Sequence, residues 1–311
     1  MDFGRLENLA DLDRVDLSLP PEPPRNQAPF PRKSGEGEAE RNNSDAPRVY
    51  IACPVWNHPG FVGTIYPSGT QPTDYLRHYA RHFNSIELNT TYYGVRPELL
   101  QRWQAMVPPD FRFLPKLTKQ ISHDRQLRDV EAVTLEYCNA IVDLGVNLGP
   151  LFLLLPGDFG PRDLPVLREF LRRFPRGVEL SVELRHPAWY QGSAFDDACG
   201  VFEEEGTIAV ITDVAGRRDV LHQRLTAPQG SVFVRFVANS LHGSDYQRID
   251  EWIDRLIDWA ARGVRTIYFC LHQPDESLNV ALAGYMIERL NERTRWDLRP
   301  PQPEPRQQEL F

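Results

Sequence analysis

The sequence has no long apolar run and no cysteine pairing pattern. Its longest apolar run spans residues 151–155, whereas a membrane-spanning helix needs about 20 apolar residues. The four cysteines show no C-x-x-C spacing, which excludes the usual zinc and redox motifs. The N-terminus is acidic and lacks the apolar stretch of a signal peptide. We therefore expect a reduced, cytoplasmic protein that does not enter a membrane.

The chain also lacks an excess of positive charge. Its formal net charge is −8, and residues 48–298 carry 27 basic and 31 acidic side chains, so the sequence predicts no bulk attraction to nucleic acid. No glycine-rich dinucleotide motif follows the first predicted strand, where residues 54–60 read Pro-Val-Trp-Asn-His-Pro-Gly instead. We predict no cofactor, although a divalent metal stays an alternative. The oligomeric state stays open.

Both ends of the chain have few large apolar residues and many prolines. Residues 1–47 contain seven prolines and ten acidic side chains against six basic ones, which is typical of a disordered segment. Residues 299–311 have a similar proline-rich character. The sequence therefore predicts disordered tails on either side of one domain, residues 48–298.

Short apolar runs alternate with helical patterns throughout that domain, which favours repeated βα units and a parallel sheet. The eight predicted strands are 49–53, 85–89, 111–116, 151–155, 178–184, 208–213, 231–236 and 265–271. The predicted helices are 72–82, 97–106, 126–146, 163–174, 194–205, 247–262 and 277–292. Residues 214–230 should form only a short or irregular crossover. Eight repeats in about 250 residues predict a TIM-like (β/α)8 barrel of the α/β class.

The fifth predicted strand has two different faces. Side chains alternate across a strand, so the valines and leucines of residues 178–184 share one face. Glu179, Ser181, Glu183 and Arg185 share the other. The same pattern recurs at residues 85–89, again with charge near the C-terminal end. Two such strands indicate a shared polar pocket inside the barrel.

Five ordered motifs resemble the YecE-like family, also called domain of unknown function 72. They are Trp56 with Gly-Thr-Ile-Tyr-Pro at 63–67, residues 79–93 with Ser-Ile-Glu-Leu-Asn at 85–89, Phe-Arg-Phe-Leu-Pro-Lys at 111–116 with Ser122-His123, Leu-Gly-Pro at 148–150 running to Leu155-Pro156, and Val-Glu-Leu-Arg-His-Pro-Ala-Trp at 182–189. The resemblance covers most of residues 49–290 and implies a TIM-barrel-like fold, but no reaction. Leu154 stands where the family commonly has Gln, and the last strand ends Leu-His-Gln instead of in paired asparagines.

Barrel active sites lie at the C-terminal ends of the strands, so we take the polar residues there as candidates and call them the polar ring. They are Glu87, Asn89, Lys116, Glu183, Arg185, His186, Asp213, Arg235 and His272. Glu87 and Glu183 are the predicted acid/base pair, because alternation points both into the barrel. Their carboxylates should lie about 7–10 Å apart, a gap that could hold a water and a small substrate. The alternative is a structural pair of salt bridges to Arg235 or Lys116.

Lysine is rare in this chain, which has three lysines against 32 arginines. Lys116 at the end of the third strand is therefore a candidate for holding an anionic group or serving as a tunable amine. Arg185 and Arg235 would hold a phosphate or carboxylate, although they could pair with the ring's own carboxylates instead. Asp213, the polar residue nearest the end of the sixth strand, completes the catalytic set.

The remaining candidates are polar or aromatic side chains on the loops above the ring. The predicted substrate-binding set is Asn89, Tyr92, His123, Arg185, His186, Trp189, Arg235 and His272. For His186 the alternative is a capping role in its loop, and the aromatics could instead plug the barrel mouth. A metal held by Glu87, Glu183, Asp213 and a histidine lacks a close motif such as H-x-H.

The leading functional prediction is a hydrolase or lyase that acts on a small polar or anionic metabolite. One alternative is a non-catalytic anion-binding or adaptor protein. The other is a divalent-metal-dependent hydrolase or nuclease.

Overall fold

In the computed structural model the described residues are 4–6, 8–27, 46–227 and 229–302. Eight parallel strands run side by side in the order β3-β2-β1-β8-β7-β6-β5-β4, and each lies within a few residues of its predicted position. The strands are β1 Arg48–Cys53, β2 Ser85–Leu88, β3 Arg112–Pro115, β4 Leu151–Leu154, β5 Leu180–Glu183, β6 Ile208–Asp213, β7 Ser231–Val237 and β8 Thr266–His272. The predicted α/β TIM-like barrel is confirmed.

Seven α-helices connect or follow the strands in the described part of the chain. They are α1 Tyr75–Tyr79, α2 Pro97–Gln104, α3 Glu131–Ile141, α4 Leu164–Arg173, α5 Ala194–Glu205, α6 Gly243–Ala261 and α7 Asn279–Arg293. Helix α3 begins later than the predicted residue 126, because Gln126, Leu127 and Asp129 have positive φ angles that an α-helix does not accept. Within the described ranges, no helix is long and apolar enough to cross a membrane.

Strands β3 and β4 close the barrel through two short stretches of main-chain contact. The amide of Gly149 donates to the carbonyl of Phe113 at 2.8 Å, and the amide of Leu117 donates to the carbonyl of Phe152 at 2.9 Å. A Cβ atom on Gly149 would lie 2.6 Å from a methyl group of Leu114 and 2.9 Å from the Phe113 carbonyl. The closure therefore needs glycine at this position.

Alternation along the strands separates two apolar layers. Side chains such as Tyr50, Phe152, Phe233 and Tyr268 fill the barrel interior. Their neighbours in sequence point outward and pack with the helices in the main core. The polar ring lies above this inner layer, at the C-terminal ends of the strands.

The connection between β6 and β7 is irregular, as predicted. Its described residues contain a single turn of 3-10 helix, Arg218–Val220, and no α-helix. Residue 228 lies outside the described residues.

The N-terminal segment differs from the predicted disordered tail over residues 8–27. It contains two 3-10 turns, Leu9–Arg14 and Pro24–Gln27, and Leu12 and Leu17 bury their side chains against Ala215. Glu22 accepts hydrogen bonds from Trp259 and Arg262, both at 2.6 Å. These contacts hold a segment with few large apolar residues against the barrel.

Residues 1–3, 7, 28–45 and 303–311 of the predicted tails lie outside the described residues, so disorder there stays a prediction. At the C-terminal end, the amide of Gln302 lies 3.3 Å from Nδ1 of His82.

Candidate functional site

Arg235 on β7 is the centre of the polar ring. Its Nη1 donates to Oε2 of Glu183 at 2.8 Å, and its Nε donates to Oε2 of Glu87 at 3.2 Å. All three side chains are at most 4% exposed. Strands β2, β5 and β7 are thus joined by one guanidinium, and the predicted inward orientation of both glutamates is confirmed.

The guanidinium occupies the space that the sequence analysis reserved for a water and a substrate between the two carboxylates. Both glutamates contact the same side chain, and the second oxygen of Glu183 accepts a hydrogen bond from Nε of Arg185 at 2.8 Å. The predicted open gap is therefore wrong, because the distance estimate ignored the side chain that fills it. Salt bridging to Arg235, the alternative considered for these residues, is present.

His272 at the end of β8 contacts both partners of that ion pair. Its Nε2 lies 2.9 Å from Oε2 of Glu87 and 3.2 Å from Nη2 of Arg235. Which of these two contacts is a hydrogen bond depends on the tautomer of the imidazole, because Nε2 donates only when it carries the hydrogen and otherwise accepts.

Both glutamates are ionised in this environment. Burial by itself would raise the pKa of Glu87, but the charges of Arg235 and His272 outweigh it and hold the pKa well below its usual value. For Glu183, Arg185 and Arg235 likewise outweigh burial and lower the pKa. Oε1 of Glu87 is buried and has no hydrogen-bond partner among the described residues.

Lys116 lies in an aromatic environment close to these charges. Its Nζ is 4.8 Å from the ring centre of Tyr92 and 5.8 Å from that of Phe152. Burial and the nearby arginines lower the pKa of Lys116 to about 8, although Glu87 and Glu183 oppose the shift. This lysine can therefore exchange a proton near neutral pH, as few lysines do.

Tyr92 lies beside Lys116, and His123 lies beside Tyr92. Their rings meet edge to face with centroids 5.4 Å apart. His123 is half-buried, and burial together with the charges of Lys116 and Arg185 lowers its pKa. Asn89 directly follows β2, and its side chain makes two long contacts, 3.4 Å to the carbonyl of Pro54 and 3.5 Å to that of Glu87.

A cavity of about 160 Å³ opens beside the ring. Three of its lining residues, Arg185, Arg235 and His272, were predicted from the sequence. The complete lining is Arg5, Arg185, Arg235, Val237, His272, Gln273, Pro274 and Glu276. The volume suits a small metabolite or a single anionic group with its hydration water.

Asp213 is not part of this ring. Its carboxylate accepts hydrogen bonds from Arg248 at 2.9 Å and Trp252 at 2.7 Å, and it also pairs with Arg218. Ile208 and Val210 fill the interior, so alternation points Asp213 outward. The assignment failed because it used proximity to the strand end and ignored alternation. Through these contacts Asp213 holds α6, by Arg248 and Trp252, and the irregular crossover, by Arg218, against β6.

His186 and Trp189 also lie away from the ring. Nδ1 of His186 accepts from the amide of Ala188 at 3.0 Å and caps the following 3-10 turn, the alternative considered for it. Trp189 is fully buried, and its Nε1 donates to the carbonyl of Phe159 at 2.8 Å. A side chain buried in this way cannot stack on a substrate.

The described residues offer no suitable metal site. They contain no group of three or more His, Cys, Asp or Glu side chains arranged to hold an ion. In the donor set considered from the sequence, the Asp213 oxygens are taken by basic and indole groups, and Glu87 and Glu183 share an arginine. These residues do not fit a divalent metal.

The sequence matches the family model described as protein of unknown function DUF72 over residues 50–309. The chain belongs to the DUF72 family. UPF0759 protein YecE of Escherichia coli K12 is 31% identical over 288 residues, which cover 85% of this chain and 100% of that protein. The resemblance predicted from the five motifs is thereby confirmed.

Solved DUF72 structures share the fold. A DUF72 family protein of Enterococcus faecalis V583 has a TM-score of 0.62 at 19% identity, covering 79% of this chain and 98% of that chain. One from Thermotoga maritima MSB8 has the same TM-score and coverage at 17% identity. At these identities the similarity establishes the barrel and nothing about chemistry.

Sequence reasoning missed Arg5 and Gln273, which line the cavity, and it did not consider Thr212. Arg5 lay in the predicted tail, and no signal in the sequence pointed to it. Gln273 directly follows His272 at the end of β8, so the strand-end rule could have included it. Thr212 has the inward alternation that Asp213 lacks, and its Oγ1 is buried without a partner among the described residues.

Proposed function

We propose that this DUF72 protein is an enzyme, a hydrolase or lyase, that acts on a small anionic metabolite at the C-terminal mouth of the barrel. The observation that carries the proposal is the buried Oε1 of Glu87, which lacks a partner among the described residues. An unpaired buried carboxylate oxygen costs free energy, and a reacting proton would satisfy it. The lowered pKa keeps Glu87 ionised, which is the form that can accept a proton.

In this proposal Lys116 supplies the proton that the carboxylates cannot. Both glutamates are ionised, whereas the lysine, with a pKa of about 8, can release a proton to a leaving group and regain it. Glu87 lies behind the cavity-lining residues Arg235 and His272, and in this proposal it takes the proton from water in a hydrolysis or from the substrate in an elimination. Transfer of that proton from Glu87 to Lys116 then restores the resting state.

Glu183 is a positioning residue. Each of its oxygens accepts from an arginine, Oε1 from Arg185 and Oε2 from Arg235. It would fix the two guanidinium groups towards the cavity, where they hold the anionic group of the substrate. Strand alternation predicted an acid/base role for Glu183 equal to that of Glu87, but here only Glu87 accepts a proton and Glu183 orients the arginines.

The test begins with a thermal-shift screen of phosphorylated and carboxylated metabolites and sugars, because a ligand that prefers the folded state raises Tm. Compounds that raise Tm are then incubated with protein and analysed for product by mass spectrometry. Glu87→Gln should still bind the compound and lose turnover by a factor of about 100 or more. Glu98→Gln, on the exposed face of α2, is the control.

A non-catalytic anion-binding protein is the second candidate. It is favoured by the network around Arg235, in which both oxygens of Glu183 are engaged, an arrangement that a rigid binding site would also have. Saturable binding without product in the same screen would support this candidate.

For the enzyme proposal, turnover by Glu87→Gln at the wild-type rate would overturn the role of Glu87 as the base.

The proposed location is the cytoplasm, and the proposed ligand is a small molecule. All four cysteines are buried free thiols, which suits a reducing compartment. The acidic balance of residues 48–298 argues against nucleic acid as the partner.

A further inference from the structure

The N-terminal segment, residues 4–6 and 8–27, brings Arg5 to the cavity. The carbonyl of Gly4 accepts a hydrogen bond from the amide of Gly216 at 2.8 Å. Nη2 of Arg5 donates to the carbonyl of Gln273 at 2.8 Å. Further along, Leu12 is buried against the β6–β7 crossover. The segment is therefore held to the barrel both before and after Arg5. It precedes residues 50–309, the part of the chain that matches the family model.

Unlike the other two arginines of the cavity, Arg5 has no hydrogen bond to a carboxylate among the described residues. Arg235 bonds Glu87 and Glu183, and Arg185 bonds Glu183. The hydrogen bond of Arg5 goes to a neutral carbonyl, and its Nε is buried without a partner among the described residues. A guanidinium has five N–H donors in a planar fork, so Arg5 has donors left for a ligand.

Gln273 places a second unused donor in the lining of the same cavity. The side chain is fully buried, and its Oε1 accepts from the amide of Ser240 at 3.0 Å. That contact fixes the orientation of the amide group, because only the oxygen can accept from an N–H. Its Nε2 is then the free end, and it is buried without a partner among the described residues.

The cavity also contains one carboxylate, that of Glu276. Its Oε2 accepts from the amide of Gln273 at 3.3 Å and from Nδ2 of Asn279 at 2.5 Å. Burial raises the pKa of Glu276, whereas the charges of His272 and Arg5 oppose the shift. The carboxylate therefore lies among positive side chains, which offset part of its repulsion of an incoming anion.

We propose that Arg5 and Gln273 form an oxyanion subsite that binds the phosphate or carboxylate group of the ligand next to Arg185 and Arg235. The inference rests on the proposed function for the identity of the cavity as the ligand site. It adds that the segment preceding the matched family region supplies a binding residue. Selectivity for anionic ligands is then partly set outside the barrel.

The test is calorimetric titration of the full-length protein with inorganic phosphate and, separately, with malonate. Arg5→Gln should weaken binding of the preferred anion about 10- to 100-fold, because it removes charge-assisted hydrogen bonds. Arg5→Lys keeps the charge without the fork and should give an intermediate loss. Arg14→Gln is the matched control on the same segment, since its side chain is 83% exposed and its ion pair is with Asp11 at 3.4 Å. Its affinity should equal that of the wild type.

Gln273→Glu tests the second donor. The new carboxylate can still accept from the amide of Ser240, but it replaces the free N–H groups with a repelling oxygen, so anion binding should be lost. Retained wild-type affinity in this variant would overturn the role of Gln273. Circular dichroism and Tm without anion check that each variant is folded.

The outcomes separate this inference from the proposed function. If Arg5→Gln binds both anions as the wild type does while Arg185→Gln binds more weakly, the role of Arg5 is overturned and the anion site stands. If the wild type binds neither anion, the proposed anionic substrate fails, and the subsite fails with it. Equal weakening by Arg5→Gln and Arg14→Gln would mean that only the charge of the segment matters, which also contradicts the subsite.

Discussion

Nη1 of Arg235 lies 2.8 Å from Oε2 of Glu183, and both side chains are almost completely buried. The pair joins strands β5 and β7 across the barrel mouth, and Glu87 extends the connection to β2. Separating buried charges leaves at least one of them unpaired in a medium of low polarity. The ion pairs of Arg235 with Glu87 and Glu183 therefore both support the candidate site and stabilise the barrel.

We expect Arg235→Met to lower the free energy of unfolding by about 3–5 kcal/mol, because two buried carboxylates lose their common partner. Urea denaturation at pH 7 measures this change. Adding Glu87→Gln and Glu183→Gln to the same chain should recover part of the loss, since the uncompensated charges are then absent. Arg168→Gln, which breaks an exposed pair with Glu204, should cost less than about 1 kcal/mol.

Lys116 should make stability depend on pH in the alkaline range. Its pKa falls from 10.5 to about 8 on folding, so between these values the unfolded chain binds more protons and stability rises with pH. Below about pH 8 the buried lysine is charged and the full penalty of burying that charge lowers the stability. The penalty is completely removed above about pH 10.5. Subtracting the stability of Lys116→Met from that of wild type should reveal a rise across this window.

Lys119→Met is the control for that experiment, because Lys119 lies three residues away and its side chain is 54% exposed. Its pKa is raised by the hydrogen bond to Asp124, so its contribution has the opposite sign and is screened by solvent. Parallel stability curves for wild type and Lys116→Met between pH 8 and pH 10 would contradict the predicted deprotonation.

Asp213→Asn should reduce stability without changing anion binding. The substitution weakens the contact to buried Arg248, and we expect a loss of about 3 kcal/mol in chemical denaturation. Phosphate affinity should stay at the wild-type value, because Asp213 does not line the cavity. Asp254→Asn, on the exposed face of α6, should change neither quantity. A loss of phosphate binding in folded Asp213→Asn would restore Asp213 to the site.

Gly149→Ala should loosen the closure between β3 and β4. The added methyl group would lie 2.9 Å from the Phe113 carbonyl, so the two chains must separate, at a cost of about 1–3 kcal/mol. Thermal unfolding checks the change. At Gly157 a Cβ atom meets nothing within 4 Å, so Gly157→Ala should leave Tm nearly unchanged. Equal Tm values for the two variants would show that the closure tolerates a side chain.

Several features of the site followed from the sequence because strand alternation is a local rule. Alternation placed Glu87, Glu183 and Arg235 inside the barrel, and the structure has them in contact. The same rule, applied to β6, would have moved Asp213 outside. The errors arose where proximity to a strand end replaced alternation, or where a loop residue such as Trp189 was judged by its type alone.

The amino-acid sequence by itself determined the eight strands, the barrel and the polar ring, because hydrophobic periodicity is a property of neighbouring residues. Only the tertiary structure decided which charges pair, since Arg235 meets Glu87 from 148 positions away in the chain. It also decided that Arg5 reaches Gln273, 268 positions distant. A segment with few large apolar residues gives no hydrophobic periodicity. Its position is therefore set only by its contacts with the folded barrel.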